Sequence, residues 1–300
     1  MKIPSFFKTR MLTPTAGERL TRHPAVVILC FLFVLLLSEE GKNLLLSVVT
    51  GQISPTPDRS LSLLLSLLST AVTVGMVLLY CLVAEKRSPL SLGFSKKGAP
   101  LEYAGGLFGG LLLFSFPVLL CLLTGALTLS ATAPNWGLIG LFLVGFLIQG
   151  LSEELLCRSY LMVSLSRSLP PWLCVTTNAL LFSLLHLGNP NVSGLAILNI
   201  FLFGVFASLL TLRRGSIWMA AGLHSMWNFS QGNLFGIPVS GLDGLPSPLT
   251  ATVAEGRWQS LVSGGSFGLE GGLFVTVALL LACGVVLFAP TKKDEITDDS

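Results

Sequence analysis

Charge is scarce in this chain. Only 11% of its 300 residues are Asp, Glu, Lys or Arg, against about 25% in ordinary soluble proteins. Apolar residues make up 52% and come in blocks of about 20, the length that spans a bilayer. A soluble fold cannot hide that much apolar surface, and no second, soluble domain is visible. Paired cysteines are also missing. Cys30, Cys81, Cys121, Cys157, Cys174 and Cys283 are scattered through apolar segments with no C-x-x-C among them. They read as small buried hydrophobes rather than as disulfides or a zinc knot. After the first apolar run, Ala25 to Leu37, no small-x-small cleavage site follows, since the next residues are Ser38-Glu39-Glu40. The run therefore reads as a retained span and not as a signal peptide.

The expected fold is all-α, a polytopic transmembrane helical bundle of about eight spans. They fall at about 24–48, 60–84, 101–128, 136–163, 171–187, 194–212, 215–231 and 270–289, by apolar run length. If the spans alternate, fourteen Lys and Arg lie on one side of the membrane. Lys42, Arg59 and Arg257 lie on the other, and Arg158 is left inside the bilayer. By the positive-inside rule both termini are then cytoplasmic. The natural location is a bacterial inner (plasma) membrane. The chain divides into an N-terminal arm with three spans (1–134), a core (135–240), and an external loop, last span and acidic tail (241–300).

The third span holds Gly105, Gly106, Gly109 and Gly110, two overlapping small-xxx-small pairs that let another helix approach closely. The loop from Gly232 to Glu270 is rich in Gly, Pro and Ser and reads as a lid over the outer face. The tail Lys292 to Ser300 reads as disordered. Glu39-Glu40 reads as an interfacial acid pair. Either the first helix runs on past it to Val49, or its last turns lie along the interface.

The chain's chemistry concentrates at Ser152-Glu153-Glu154-Leu155-Leu156-Cys157-Arg158, three charges inside an otherwise apolar run. One charge at the centre of a membrane helix costs about 2.5–3.5 kcal/mol on insertion scales, so such residues read as a functional site. Glu154 and Arg158 are i, i+4 and can pair. Glu153 lies about 100° round the helix, with Gln149 four residues before it on the same face. Phe182 and His186 are i, i+4, with Asn178 one step further back, and His224 and Asn228 repeat the spacing.

Taken singly, each has a bland reading. Glu154–Arg158 can pin a helix, His186, His224 and Asn228 can be interhelical hydrogen-bonding residues, and Phe182 can be a packing wall. Together, an unpaired carboxylate, two imidazoles and an amide form a hydrolytic kit. Carboxylate and histidine activate water, and histidine and asparagine donate to an oxyanion. The chain has no H-E-x-x-H. Gly264-Gly265-Ser266-Phe267-Gly268 fits G-x-S-x-G by letter, but it sits in a glycine-rich loop and reads as a linker. Asp243 is a loop aspartate with no partner in a span.

Glu153-Glu154-x-x-x-Arg158, Phe182-x-x-x-His186 and His224-x-x-x-Asn228, in that order on late spans, resemble the CPBP family. That family comprises the CAAX-processing proteases and bacteriocin-immunity proteins, glutamate-type intramembrane proteases. The resemblance covers about 135–240, including Arg214-Gly215-Ser216-Ile217-Trp218 and the stretch after Asn228. It implies that Glu153 is the general base, assisted by His186, and that His224 and Asn228 form the oxyanion hole. Glu154 and Arg158 would be structural or orienting, and Phe182 would shape the pocket. No cofactor is required by this reading; zinc held by Glu153, His186 and His224 is the alternative. The expected activity is an intramembrane endopeptidase acting on a membrane-associated protein or peptide. Its partners are that substrate and the lipid bilayer, with no nucleic acid. Two rivals remain: a non-catalytic peptide-binding or bacteriocin-immunity protein, and a small transporter with a proton relay.

Overall fold

The structure, a computed structural model, describes residues 10–12, 23–53, 58–95 and 97–289. Every predicted span contains a helix. Helix α1 (Pro24–Ile53) is unbroken, so it does run past Glu39, Glu40 and Lys42. Helices α2 (Arg59–Ser69) and α3 (Ala71–Leu79) join with a π turn (Tyr80–Ala84) into one span, Arg59–Ala84. Helix α4 is Ala99–Leu123. Helix α5 (Trp136–Glu154), a π segment (Leu155–Met162) and α6 (Val163–Leu165) form the span Trp136–Leu165. Then come α7 (Pro171–Leu184), α8 (Gly194–Arg214), α9 (Trp218–Phe229), the short α10 (Arg257–Ser263) and α11 (Leu273–Phe288).

Five of these are long and apolar enough to cross a membrane, and α7 and α11 are shorter apolar helices. Of the eight expected spans, five are thus of bilayer length. At about 1.5 Å per residue, α7, α9 and α11 rise only about 18–24 Å, short of a hydrocarbon core of about 30 Å. Helix α9 illustrates why this is tolerated. Nine of its residues, from Ala220 to Phe229, are buried. A helix clothed in protein has no need to match the lipid. Long apolar side chains face outward on the peripheral helices instead, such as Leu29, Phe33 and Leu44 on α1 and Leu101, Phe108 and Leu123 on α4.

The glycines of α4 seat α9. A Cβ on Gly106 would come within 2.2 Å of the Met219 carbonyl oxygen, and one on Gly110 within 2.4 Å of that of Leu223. Gly105 and Gly109 meet only side-chain atoms of α9 at ordinary distance. One of the two predicted glycine pairs therefore makes the backbone contact. On its other flank α9 meets Gly150 of α5, where a Cβ would come within 2.4 Å of Ser225 Oγ. Helix α9 is thus clamped between α4 and α5, α7 packs on α8, and α8 packs on α11.

The all-α expectation also needs amendment. Strands β1 (Leu127–Ala131) and β2 (Leu249–Val253) pair antiparallel, Leu127 with Val253 and Ala131 with Leu249. The apolar start of β1 is what extended the predicted third span to 128. The segment after α9 is not a plain linker. Phe267, Leu269 and Glu270 are buried in it, and Ser266 is exposed on a 3-10 turn. All six cysteines are free; five are buried and Cys30 is half-buried. The acidic tail and most of the N-terminal arm lie outside the described residues.

Candidate active site

The motifs converge on one cavity of about 510 Å³. Gln149 and Glu153 from α5 line it, with Phe182 from α7, His186 and Asn189 from the turn after α7, and His224 and Asn228 from α9. Glu154 and Arg158 do not line it; both are fully buried behind it. Their i, i+4 spacing brings Arg158 Nη1 to 3.0 Å from Glu154 Oε1. Arg158 Nη2 reaches the Gly204 carbonyl of α8 at 3.4 Å. The guanidinium carbon also lies 4.5 Å from the centroid of the Phe182 ring, a cation–π contact. Phe182 thus touches both Arg158 and His186, whose ring centroid is 4.9 Å away. The helix changes from α to π at Leu155, directly after the two glutamates. Such π insertions occur often at functional sites.

The histidines are held by their Nδ1 atoms. His224 Nδ1 is 2.8 Å from Glu154 Oε1. A carboxylate paired with arginine accepts, so Nδ1–H donates and the tautomer follows. Nε2 of His224 is left to face Glu153, with Oε2 at 3.7 Å. Nε2 accepts when the ring is neutral and donates when it is protonated. His186 Nδ1 donates to the Phe182 carbonyl at 2.9 Å, which leaves its Nε2 without the proton in the neutral ring. No hydrogen bond joins His186 to Glu153; His224 is the ring within ion-pair distance.

An amide chain links the remaining groups. Asn228 Nδ2 donates to Gln149 Oε1 at 3.0 Å, and Gln149 Nε2 donates to Glu153 Oε1 at 2.6 Å. Asn228 keeps a second N–H. Glu153 Oε2 makes no hydrogen bond within the protein. One oxygen of Glu153 is thus fixed and the other is uncommitted. Asn178 stands apart, bonded to Ser208 at 2.8 Å. Among the described residues no three His, Cys, Asp or Glu form a group that could hold a metal ion.

Glu270 belongs to none of the sequence motifs. This carboxylate sits just before α11 and lines the same cavity. It accepts from Trp227 Nε1 at 3.1 Å, Ser240 N at 2.8 Å and Ser240 Oγ at 2.7 Å. It fastens α9, next to Asn228, to the turn Val239–Leu242 that forms one wall. Its position in a Gly-rich stretch carried no periodic signal.

Residues 135–230 match the family model described as type II CAAX prenyl endopeptidase Rce1-like. Over this segment the chain is similar to the Rce1-like family. The Rce1-like family is one of proteases, and the match spans α5 to α9 with every motif residue of the cavity. Helices α1 to α4, Glu270 and α11 lie outside the Rce1-like match. No curated protein and no solved structure matches the chain.

Proposed function

We propose that the chain is an intramembrane endopeptidase that hydrolyses a peptide bond in a membrane-associated protein or peptide, in a bacterial plasma membrane. The observation that carries the reading is the asymmetry of Glu153, one oxygen tied to Gln149 and the other uncommitted in a cavity that also holds two imidazoles and an amide. In this reading Glu153 Oε2 takes a proton from water, and the water oxygen attacks the scissile carbonyl. The proton then passes to the leaving amine. His186 Nε2, an acceptor in the neutral ring, helps to orient that water. The free N–H of Asn228 and the protonated Nε2–H of His224 donate to the oxyanion. Glu154 is a positioning residue: it commits His224 Nδ1 and leaves Nε2 for the cavity. Arg158 balances the Glu154 charge and turns no group toward the cavity.

The test compares cells expressing the native chain or Glu153→Gln at matched levels, by peptide-level proteomics of membrane and medium. A precursor that accumulates with the variant, its processed form missing, is the expected result. Unchanged processing with both chains inserted contradicts it and favours a peptide-binding or immunity role, since a binder tolerates this near-isosteric change.

A further inference from the structure

Most polar side chains that line the cavity are committed. Gln149 bonds both Asn228 and one oxygen of Glu153. Ser240 donates to Glu270, and Lys42 pairs with Glu39 at 2.7 Å. Asn199 Nδ2 donates to the Glu270 and Gly272 carbonyls, and its Oδ1 accepts from the Thr276 hydroxyl. Asn189 lines the cavity too, yet among the described residues no hydrogen bond engages its Oδ1 or Nδ2. Neither atom is sealed inside the protein. Ser66 and Thr73 also keep open hydroxyls there. A hydroxyl turns to suit what it meets, whereas an amide offers a donor and an acceptor in fixed places.

The backbone beneath this free amide is braced. Asn189 N donates to the His186 carbonyl at 3.1 Å, so one turn carries both side chains. The next residue, Pro190, is pressed against the wall turn Val239–Leu242: a Cβ on Gly241 would come within 2.1 Å of the Pro190 carbonyl oxygen. Gly241 is itself held, its N–H donating to the Phe267 carbonyl at 2.9 Å. A fixed backbone under an uncommitted side chain lowers the cost of ordering when a partner binds.

An Asn side chain repeats the chemistry of the peptide group. Its Oδ1 accepts from a main-chain N–H, and its Nδ2 donates to a main-chain carbonyl. Much of the surrounding lining is apolar, including Leu35, Leu63, Leu185 and Ile200. A polypeptide that fills such a cavity expels water, and an amide then left unpaired is penalised. We infer that Asn189 is a substrate-binding residue: it pairs with one main-chain peptide group of the polypeptide and sets the register of that chain against His186. Recognition of this kind reads backbone, so it tolerates varied side chains. The inference rests on a polypeptide entering the cavity, as the protease reading holds, but not on its cleavage.

The experiment reads binding alone. The full-length chain carrying Glu153→Gln, with and without Asn189→Leu, is purified in detergent and titrated with a fluorescein-labelled peptide of alternating Leu and Ala. The titration is repeated with the same peptide N-methylated at one amide at a time, and binding is read by fluorescence anisotropy. Asn189→Leu should weaken binding of the plain peptide about tenfold. One methylation should weaken binding by a similar factor when Asn189 is present and add nothing when it is Leu, the non-additivity of a direct contact. Both chains should melt at the same temperature, since Asn189 bonds no other side chain. Equal affinity of the two chains, methylation penalties that are the same in both, a lowered midpoint for Asn189→Leu, or no binding of the peptide by the chain that keeps Asn189 overturns the inference. Because no cleavage is read, unchanged processing by Glu153→Gln in cells would remove the protease reading and leave this result standing.

Discussion

Removing one partner of the Glu154–Arg158 pair strands a charge at a site with no solvent exposure. Arg158→Leu should therefore cost about 3–5 kcal/mol of stability, read as a lowered thermal midpoint of the purified chain in detergent. Glu153→Gln should keep the native midpoint, because its amide oxygen still accepts from Gln149. Arg158 and Glu153 are thus separable by one melting experiment. Gln149→Leu removes the bond that fixes Glu153 Oε1. Hydrogen bonds to charged groups are worth about 1.5–3 kcal/mol of stability, so the melting midpoint should fall, and cleavage should slow because Glu153 is no longer held. The pairing of Glu154 with Arg158 was legible because i, i+4 spacing is a local rule that survives burial. The bond from His224 to Glu154 was not, because it joins residues 70 apart in sequence. Nor was the fixing of His186 by a backbone carbonyl, since nothing in residue type announces which ring nitrogen a fold will occupy.

At the scale of elements, the position of α9 decides whether His224 and Asn228 meet Glu153. Gly106 and Gly110 set that position by backbone contact, and a side chain at either must push α9 away. Gly106→Val is expected to abolish cleavage and to lower the amount of folded chain recovered in detergent. Gly105→Ala, whose Cβ finds only Met219 Cε at 3.5 Å, should retain both. Equal behaviour of the two variants would contradict the clamp. The sequence displayed both glycine pairs but could not say which faced a helix, because the α4 surface is apolar all round. It hid β1 and β2 for a related reason: five-residue strands at a membrane surface look like the frayed end of an apolar run. Glu270 was hidden likewise, although it joins α9 to the cavity wall. Glu270→Gln weakens the grip on Ser240 and Trp227 and should raise KM more than it lowers kcat.

For the whole molecule, the proposed topology rests on the alternation of basic clusters along the sequence. A fluorescent reporter that matures only in the cytoplasm, fused after Ser300, should be fluorescent; a dark, stably expressed fusion would contradict the topology. The helices of the bundle were legible because each is an apolar block. Their lengths were not, because shelter by neighbouring helices, as for α9, removes the demand to match the bilayer. The central claim concerns water activated by Glu153, and isotope transfer tests it most directly. Membranes from cells lacking the chain would be incubated with the reconstituted native chain or Glu153→Gln in ¹⁸O-water, and new peptide C-termini read by mass spectrometry. The account predicts ¹⁸O-bearing C-termini made by the native chain and missing with Glu153→Gln. The same labelled termini with both chains would contradict it.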